Sequence, residues 1–170
     1  MTDPTEPDAS LVEHAREVLG INRFLTLGTV SAAGQPWTSP VYFSWVSVAE
    51  SWEFFWVSAA DAQHSLNLLD RPAVALTVFD SSVPPYHGRA VYAVGEAREV
   101  PLEDLDETLQ HYPGPESRGG RVLTRSDVTG DQPWRFYQAG ASELWVLCPG
   151  EPGAACDRHD IMRDHRARVL

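Results

Sequence analysis

The sequence predicts a mainly β domain with α-helical additions, a six-stranded antiparallel split β-barrel with flanking short helices. Three observations carry that prediction. At least six segments have strand length and are rich in Val, Trp, Phe and Tyr. The first three are joined by turn-length connections, which suit antiparallel hairpins rather than parallel crossovers. The helical stretches are short and apolar on one side only, so they can pack on a sheet but cannot make a core alone.

Residues 1–9, rich in Pro, Asp, Glu and Thr, read as a disordered tail, and residues 10–170 as a single domain. Ser10-x-x-Glu13 has the form of a capping box. Leu11, Val12, Ala15, Val18 and Leu19 then make one apolar stripe, and Gly20 is placed to end that helix. Asn22 to Val30 reads as the first strand, Ser31 to Gln35 as a turn, and Pro36 to Trp45 as the second strand. Pro40 inside that strand implies an edge or a bulge. Trp52 to Val57 is the third strand, after a turn at Ser47 to Ser51. Ala73 to Phe79 is a nearly continuous apolar strand that should be buried on both faces. Asp80 to Gly88 is a loop and Arg89 to Val100 the fifth strand. Pro101 suits a first helical position, with Leu102, Leu105 and Leu109 as the buried side of the next helix. His111 to Gln132, with its Pro and Gly residues, should be irregular or mobile. Glu143 to Leu147 is the sixth strand, followed by a turn and an Arg-rich tail.

Composition narrows the function. A net charge of −11 disfavours a nucleic-acid backbone or an anionic membrane surface as partner. No apolar run reaches the length of a membrane span, and the polar, acidic N-terminus is not a signal peptide. The cysteines, Cys148 and Cys156, are too few for a disulfide framework, so a reducing cytoplasm is the simplest compartment. All 13 basic residues are Arg, which excludes a lysine Schiff base and a P-loop lysine. Cys156-x-x-His159 with His165 offers soft and imidazole ligands, but no second Cys-x-x-Cys or His pair completes a set, and no metal is expected there.

The stretch from Phe54 to Leu68 is where chemistry is expected. It begins as an aromatic strand, turns at Ser58 and continues as a helix, with Ala62, Leu66 and Leu69 at helical spacing and Arg71-Pro72 as its stop. Ser58-x-x-Asp61 has the form of a capping box. A helix N-terminus leaves backbone N–H groups free and can hold a phosphate, and Gln63, His64 and Ser65 add side-chain donors. The alternative is a strand–helix corner with ordinary caps.

Several motifs, taken in order, resemble the pyridoxamine 5′-phosphate oxidase-like, flavin-binding split-barrel family. They are Gly28-Thr29-Val30 with Gly34-Gln35-Pro36-x-x-Ser39-Pro40-Val41-Tyr42-Phe43, then Phe55-Trp56-Val57-Ser58 with Asn67-Leu68 and Arg71 to Phe79, then Gly88-Arg89-Ala90-Val91-Tyr92 with Gly95-Glu96-Ala97. Residues 21–100 carry the likeness well; Arg135 to Ala139 and Glu143 to Leu147 carry it more loosely. The resemblance implies a homodimer with two FMN sites between subunits. The strand bearing Ser39, Pro40, Val41 and Tyr42 would run along the flavin, while Ser58, Ala59 and the start of the next helix would hold the phosphate. Gln63 and His64, with Ser65 following, stand where the family commonly has a basic pair, and Ala62 where it often has Ser. His64 as a cationic phosphate partner would depend on pH. Asn67 would tie the helix to neighbouring backbone, and Arg89 would meet either phosphate or an acidic neighbour. The function implied is an FMN-dependent oxidoreductase acting on a small molecule. The alternatives are a reductase using F420, whose longer anionic tail suits a Lys-free acidic chain less well, and a non-catalytic flavin- or haem-binding protein. Trp37, Trp45, Trp52 and Trp56 on the strands give a further reason to expect a dimer.

Overall fold

The computed structural model describes residues 8–49 and 51–170. Residues 1–7 of the expected tail lie outside the described residues, but Asp8 caps the first helix and Ala9 begins it. That helix, α1 (Ala9–Ile21), is capped by Asp8, whose side chain accepts from the Ser10 amide at 2.9 Å. The expected Ser10 capping box is thus displaced by an acid two residues earlier, which also suits the positive helix end. Gly20 lies inside the helix, and Asn22 closes it by donating to the Val18 carbonyl at 2.8 Å.

Six long strands close into a barrel. They are β1 (Phe24–Val30), β2 (Pro36–Val48), β3 (Ser51–Ala59), β4 (Ala73–Phe79), β5 (Ala90–Glu99) and β6 (Trp134–Leu147). The order β3-β2-β1-β4-β5-β6 is closed by antiparallel pairing of β3 with β6, and a short β7 (Arg166–Arg168) adds to the outer end of β6. The β1–β2 hairpin turns through Gly34 at φ +84°, a conformation glycine reaches without a Cβ penalty. Pro40 sits in the half of β2 that pairs with β1 alone, because β3 joins only from Phe43 onward. The missing N–H is accommodated at that open edge.

Three expectations are corrected. Within one chain β4 is not buried on both faces: Val74, Leu76 and Val78 point inward while Ala73, Ala75 and Phe79 are exposed, since alanine reads as apolar in either setting. The helix after Pro101 shrinks to one turn, α3 (Leu105–Thr108), followed by a 3₁₀ turn, so Leu102 is exposed while Leu105 and Leu109 are buried. The sixth strand begins at Trp134 rather than Glu143 and runs for 14 residues. Its middle, Ala139-Gly140-Ala141, is small because β5 approaches closely. A Cβ on Gly95 would clash with the Gly140 carbonyl, and Ser142 is the extra residue of a bulge beside it.

The barrel interior holds the main core, with Phe43, Phe54 and Trp56 among its largest members, and α1 packs Leu11, Ala15, Val18 and Leu19 against it. A second cluster lies outside the barrel wall, where Phe55 and Phe136 meet Val100, Leu105, Leu109 and Val128. The loop from His111 to Gln132 is therefore a cover, not a free segment. Its Arg118 is buried and donates to the carbonyls of Leu19 at 2.8 Å, Gly20 at 3.3 Å and Phe43 at 2.6 Å. Tyr112 packs edge-on against Tyr42 and Phe136, and burial pushes its phenol up to about 12. Among the described residues, no helix is long and apolar enough to cross a membrane.

Candidate functional site

The strand–helix corner forms, but not with the expected cap. β3 continues through Ser58 to Ala59, and α2 (Gln63–Asp70) starts after Ala62, which makes no side-chain cap. Helical hydrogen bonding begins with the Leu66 amide donating to Ala62 O, so the amides of Gln63, His64 and Ser65 have no intrahelical acceptor. Ser58 cannot cap a helix four residues away. Its side chain points inward instead and meets His64.

His64 links two strands. Its Nδ1 lies 3.0 Å from Ser39 Oγ on β2 and its Nε2 2.8 Å from Ser58 Oγ on β3. Trp37 Nε1 donates to the same Ser39 oxygen at 3.1 Å. Ser39 Oγ thus meets both the indole and the imidazole, and both ring nitrogens of His64 are engaged by hydroxyls. One turn on, Asn67 donates to Thr29 Oγ1 at 2.9 Å and accepts from Gln63 Nε2 at 2.8 Å. Asn67 thus fixes α2 to β1 through a side chain rather than through neighbouring backbone. Ser65 Oγ, facing the Tyr137 phenol, is buried without a partner inside hydrogen-bonding distance.

The structure therefore brings together Ser39, Ser58, Gln63, His64, Ser65 and Asn67, with Ala59 at the end of the adjoining strand. It separates the others. Pro40 is exposed on the face opposite Ser39, as strand alternation requires, and Val41 is in the barrel core. Tyr42 donates to Pro113 O at 3.0 Å under the covering loop. Arg89 pairs with Glu17 of α1 at 2.7 Å, the acidic-neighbour alternative. Beside the cluster runs an open groove of about 1170 Å³ along the outer face of β1, β4 and β5, lined by Gly28, Thr29, Trp37, Ala75, Val94 and Arg98 among others. Thr29 and Trp37 connect the two features, since each hydrogen-bonds a member of the cluster. Trp37 was legible as a strand aromatic; Thr29 was marked only as part of the Gly28-Thr29-Val30 motif, with no role attached to its side chain.

The expected cationic role of His64 changes. Burial holds its imidazole below the ordinary value of 6.5, so the ring is neutral at physiological pH. A folded pKa below the unfolded one means the unfolded chain takes up the proton first, so stability is full above about pH 6.5 and falls on acidification. His14 is shifted the same way, by burial and then by Arg89. His64→Gln, which keeps polar contact without titrating, should lose less melting temperature than wild type between about pH 7.5 and pH 5.5. Equal acid sensitivity in the two proteins would acquit His64.

A closed six-stranded barrel with short helices at its margins defines a split-barrel protein. The family model described as pyridoxamine 5′-phosphate oxidase matches residues 11–135, and the chain belongs to that family. No curated protein matches the chain significantly. Among solved structures, a haem binding protein from Mycobacterium smegmatis aligns over 99% of this chain at 14% identity and TM-score 0.63. A protein of unknown function from Agrobacterium tumefaciens aligns over 89% at 16% identity and TM-score 0.62. The chain spans 60% and 62% of the lengths of those two proteins. An F420 reductase aligns over 76% of this chain and 94% of its own length, at 19% identity and TM-score 0.51. At these identities the likeness concerns the fold.

Proposed function

We propose that this chain is an FMN-binding oxidoreductase that works as a homodimer on a small molecule. The observation that carries the reading is the uncapped start of α2, set beside the hydroxyls of Ser58 and Ser65, the latter buried and facing the Tyr137 phenol. Free backbone amides at a helix end suit a phosphate, and they do so without a cation. The residues present fit the phosphate of FMN through these amides and the Gln63 side chain, with the groove next to Trp37 open for an apolar ring system. When bound, a flavin supplies hydride chemistry, while the protein supplies position and exclusion of water. His64 acts here as a neutral strut that holds Ser39 and Ser58 in register.

The experiment is a titration of purified protein with FMN, riboflavin, F420 and haemin, followed by absorbance. FMN should bind at least about tenfold more tightly than riboflavin, equivalent to about 1.4 kcal/mol from the phosphate. Because His64 is neutral, that preference should stay level between about pH 7 and pH 8.5. Equal affinity for FMN and riboflavin would remove α2 as the phosphate site. A Soret band, or binding of F420 in preference to FMN, would replace the reading with one of its rivals. A haem would need an axial ligand, and both nitrogens of His64 are already engaged.

A further inference from the structure

The chain between β6 and β7 folds back on itself and brings four side chains to one point. Cys148 ends the last ladder of β6, with its amide donating to His165 O at 2.9 Å. The Ile161 carbonyl accepts from the Cys156 amide at 3.0 Å, and the Cys156 carbonyl accepts from the amides of His159 and Asp160. Asp160 takes φ +53°, which turns the chain sharply beneath that cysteine. As a result Cys148 Sγ lies 3.4 Å from Cys156 Sγ and 3.6 Å from His159 Nδ1. Cys156 Sγ lies 3.5 Å from His159 Nδ1, and His165 Nε2 lies 3.0 Å from that same nitrogen. All the ligand atoms fall within 4.8 Å of one another.

We propose that Cys148, Cys156, His159 and His165 form a structural Zn²⁺ site. The separations are those of tetrahedral coordination. With Zn–S near 2.3 Å and Zn–N near 2.0–2.1 Å, the edges of such a tetrahedron are about 3.3–3.8 Å. Four of the six separations lie in or just under that range, and the two from His165 to the sulfurs stay within 4.8 Å, so the side chains converge on a metal-sized point. Two thiolates and two imidazoles select Zn²⁺ over harder cations. On loading, the two thiol protons leave to solvent, and the thiolate charges cancel that of the ion. His165 shows the outer contact that ligating histidines make: its Nδ1 is 3.0 Å from the Arg163 carbonyl. That hydrogen bond puts the proton on Nδ1 and aims the Nε2 lone pair at the site. Four protein ligands leave no open position, so the role is to hold the fold rather than to do chemistry. The metal would staple the hairpin that adds β7 to the barrel. It would also brace α1, because Arg158 between the second and third ligands donates to Ser10 Oγ at 2.7 Å and faces Asp8 at 3.6 Å. This site is independent of the flavin reading, since it lies at the β7 end of β6 and shares no residue with the α2 cluster.

The test is metal analysis of the full chain purified under reducing conditions without chelator and without a histidine tag. It should contain one zinc per chain. Loading with Co²⁺ alone should give thiolate-to-cobalt charge-transfer bands and the strong visible bands of a tetrahedral centre. Cys148→Ser and His159→Ala should each weaken Zn²⁺ binding by at least about a hundredfold. In case those variants fold poorly, limited proteolysis of the wild type gives a second readout. Chelator should expose residues 149–164 to cleavage, and added Zn²⁺ should restore protection. A metal-free chain whose Co²⁺ titration lacks thiolate bands would overturn the proposal. So would an intact mass two hydrogens lighter under non-reducing conditions with no zinc bound, which would mean that Cys148 and Cys156 form a disulfide instead.

Discussion

Arg118→Ala is expected to lower the free energy of unfolding by about 3–5 kcal/mol, the largest stability effect of any single substitution outside the barrel core. The guanidinium donates to three backbone carbonyls, two at the end of α1 and one on β2, and lies 4.7 Å from the Phe43 ring centroid. Each hydrogen bond to a charged donor is worth about 1.5–3 kcal/mol, and removal leaves buried oxygens without a partner. The losses are not additive, because one side chain serves all three, so the total stays below their sum. Arg118→Met separates packing from polarity: it refills most of the volume without donating. It should recover little, since the buried carbonyls remain unpaired. Urea unfolding at a fixed protein concentration, followed by far-ultraviolet circular dichroism, measures the difference. A loss under about 1 kcal/mol for Arg118→Ala would show that water replaces the guanidinium and that the covering loop is not pinned there.

Arg118 also marks where the sequence stops being legible. A Gly- and Pro-rich stretch with three arginines reads as an exposed, mobile connection, because nothing local reveals that the end of α1 and the edge of β2 need a donor from Arg118. That need is created by residues almost a hundred positions away, and only the closed barrel brings them together. The early strands were readable for the opposite reason. β1, β2 and β3 are hairpin-connected, so their periodicity and turns lie within short windows. β6 was half hidden: Ala139, Gly140 and Ala141 carry no strand signal, and they are small because Gly95 presses against them from β5. Among the strand tryptophans, Trp52 and Trp56 are buried in the barrel and Trp45 stacks on Trp52 at 5.8 Å, so only Trp37 of the four faces outward. Most of this aromatic mass is core volume within the chain.

The α2 site was legible in its residue types and its place, but not in its electrostatics. Strand, turn and helix follow from the pattern of apolar residues, and Ser58, His64 and Ser65 do cluster at that corner. What spacing could not show is that β3 extends past Ser58, turning its side chain into the barrel toward His64. That single extension converts a cap into a hydrogen-bond partner and a potential cation into a buried neutral ring. In the function proposed above, the phosphate would be left to the backbone, which has no sequence signature beyond the missing cap at Ala62.

Ala75→Arg should convert a dimer of the 18.8 kDa chain into a monomer and carry most of the FMN affinity away with it. The outer face of β1, β4 and β5 is the reason to look there. Gly28 and Ala75 pair directly across β1 and β4, and Val94 lies opposite Ala75 on β5, which leaves a smooth, shallow surface with Phe24 and Phe79 exposed at one end. Small residues in a row permit close approach of a second, symmetry-related sheet, and among the described residues no helix lines the groove over them. Arginine at the centre of that face would place one bulky charge per subunit in the contact, and even with Glu96 within reach on β5 its desolvation costs several kcal/mol. Ala75→Ser keeps the size nearly unchanged and should leave assembly intact. Sedimentation velocity at micromolar concentration reads the mass, and circular dichroism confirms that both variants keep the barrel. The groove on this face adjoins the α2 cluster through Thr29 and Trp37, so a flavin lying in it would be walled on its open side by the partner. Loss of the dimer should therefore raise the dissociation constant for FMN by at least about tenfold, while the remaining phosphate contacts at α2 keep binding measurable. A wild-type chain that sediments as a monomer at micromolar concentration would end the dimer reading. A monomeric Ala75→Arg that binds FMN as tightly as wild type would place the whole flavin site within one chain.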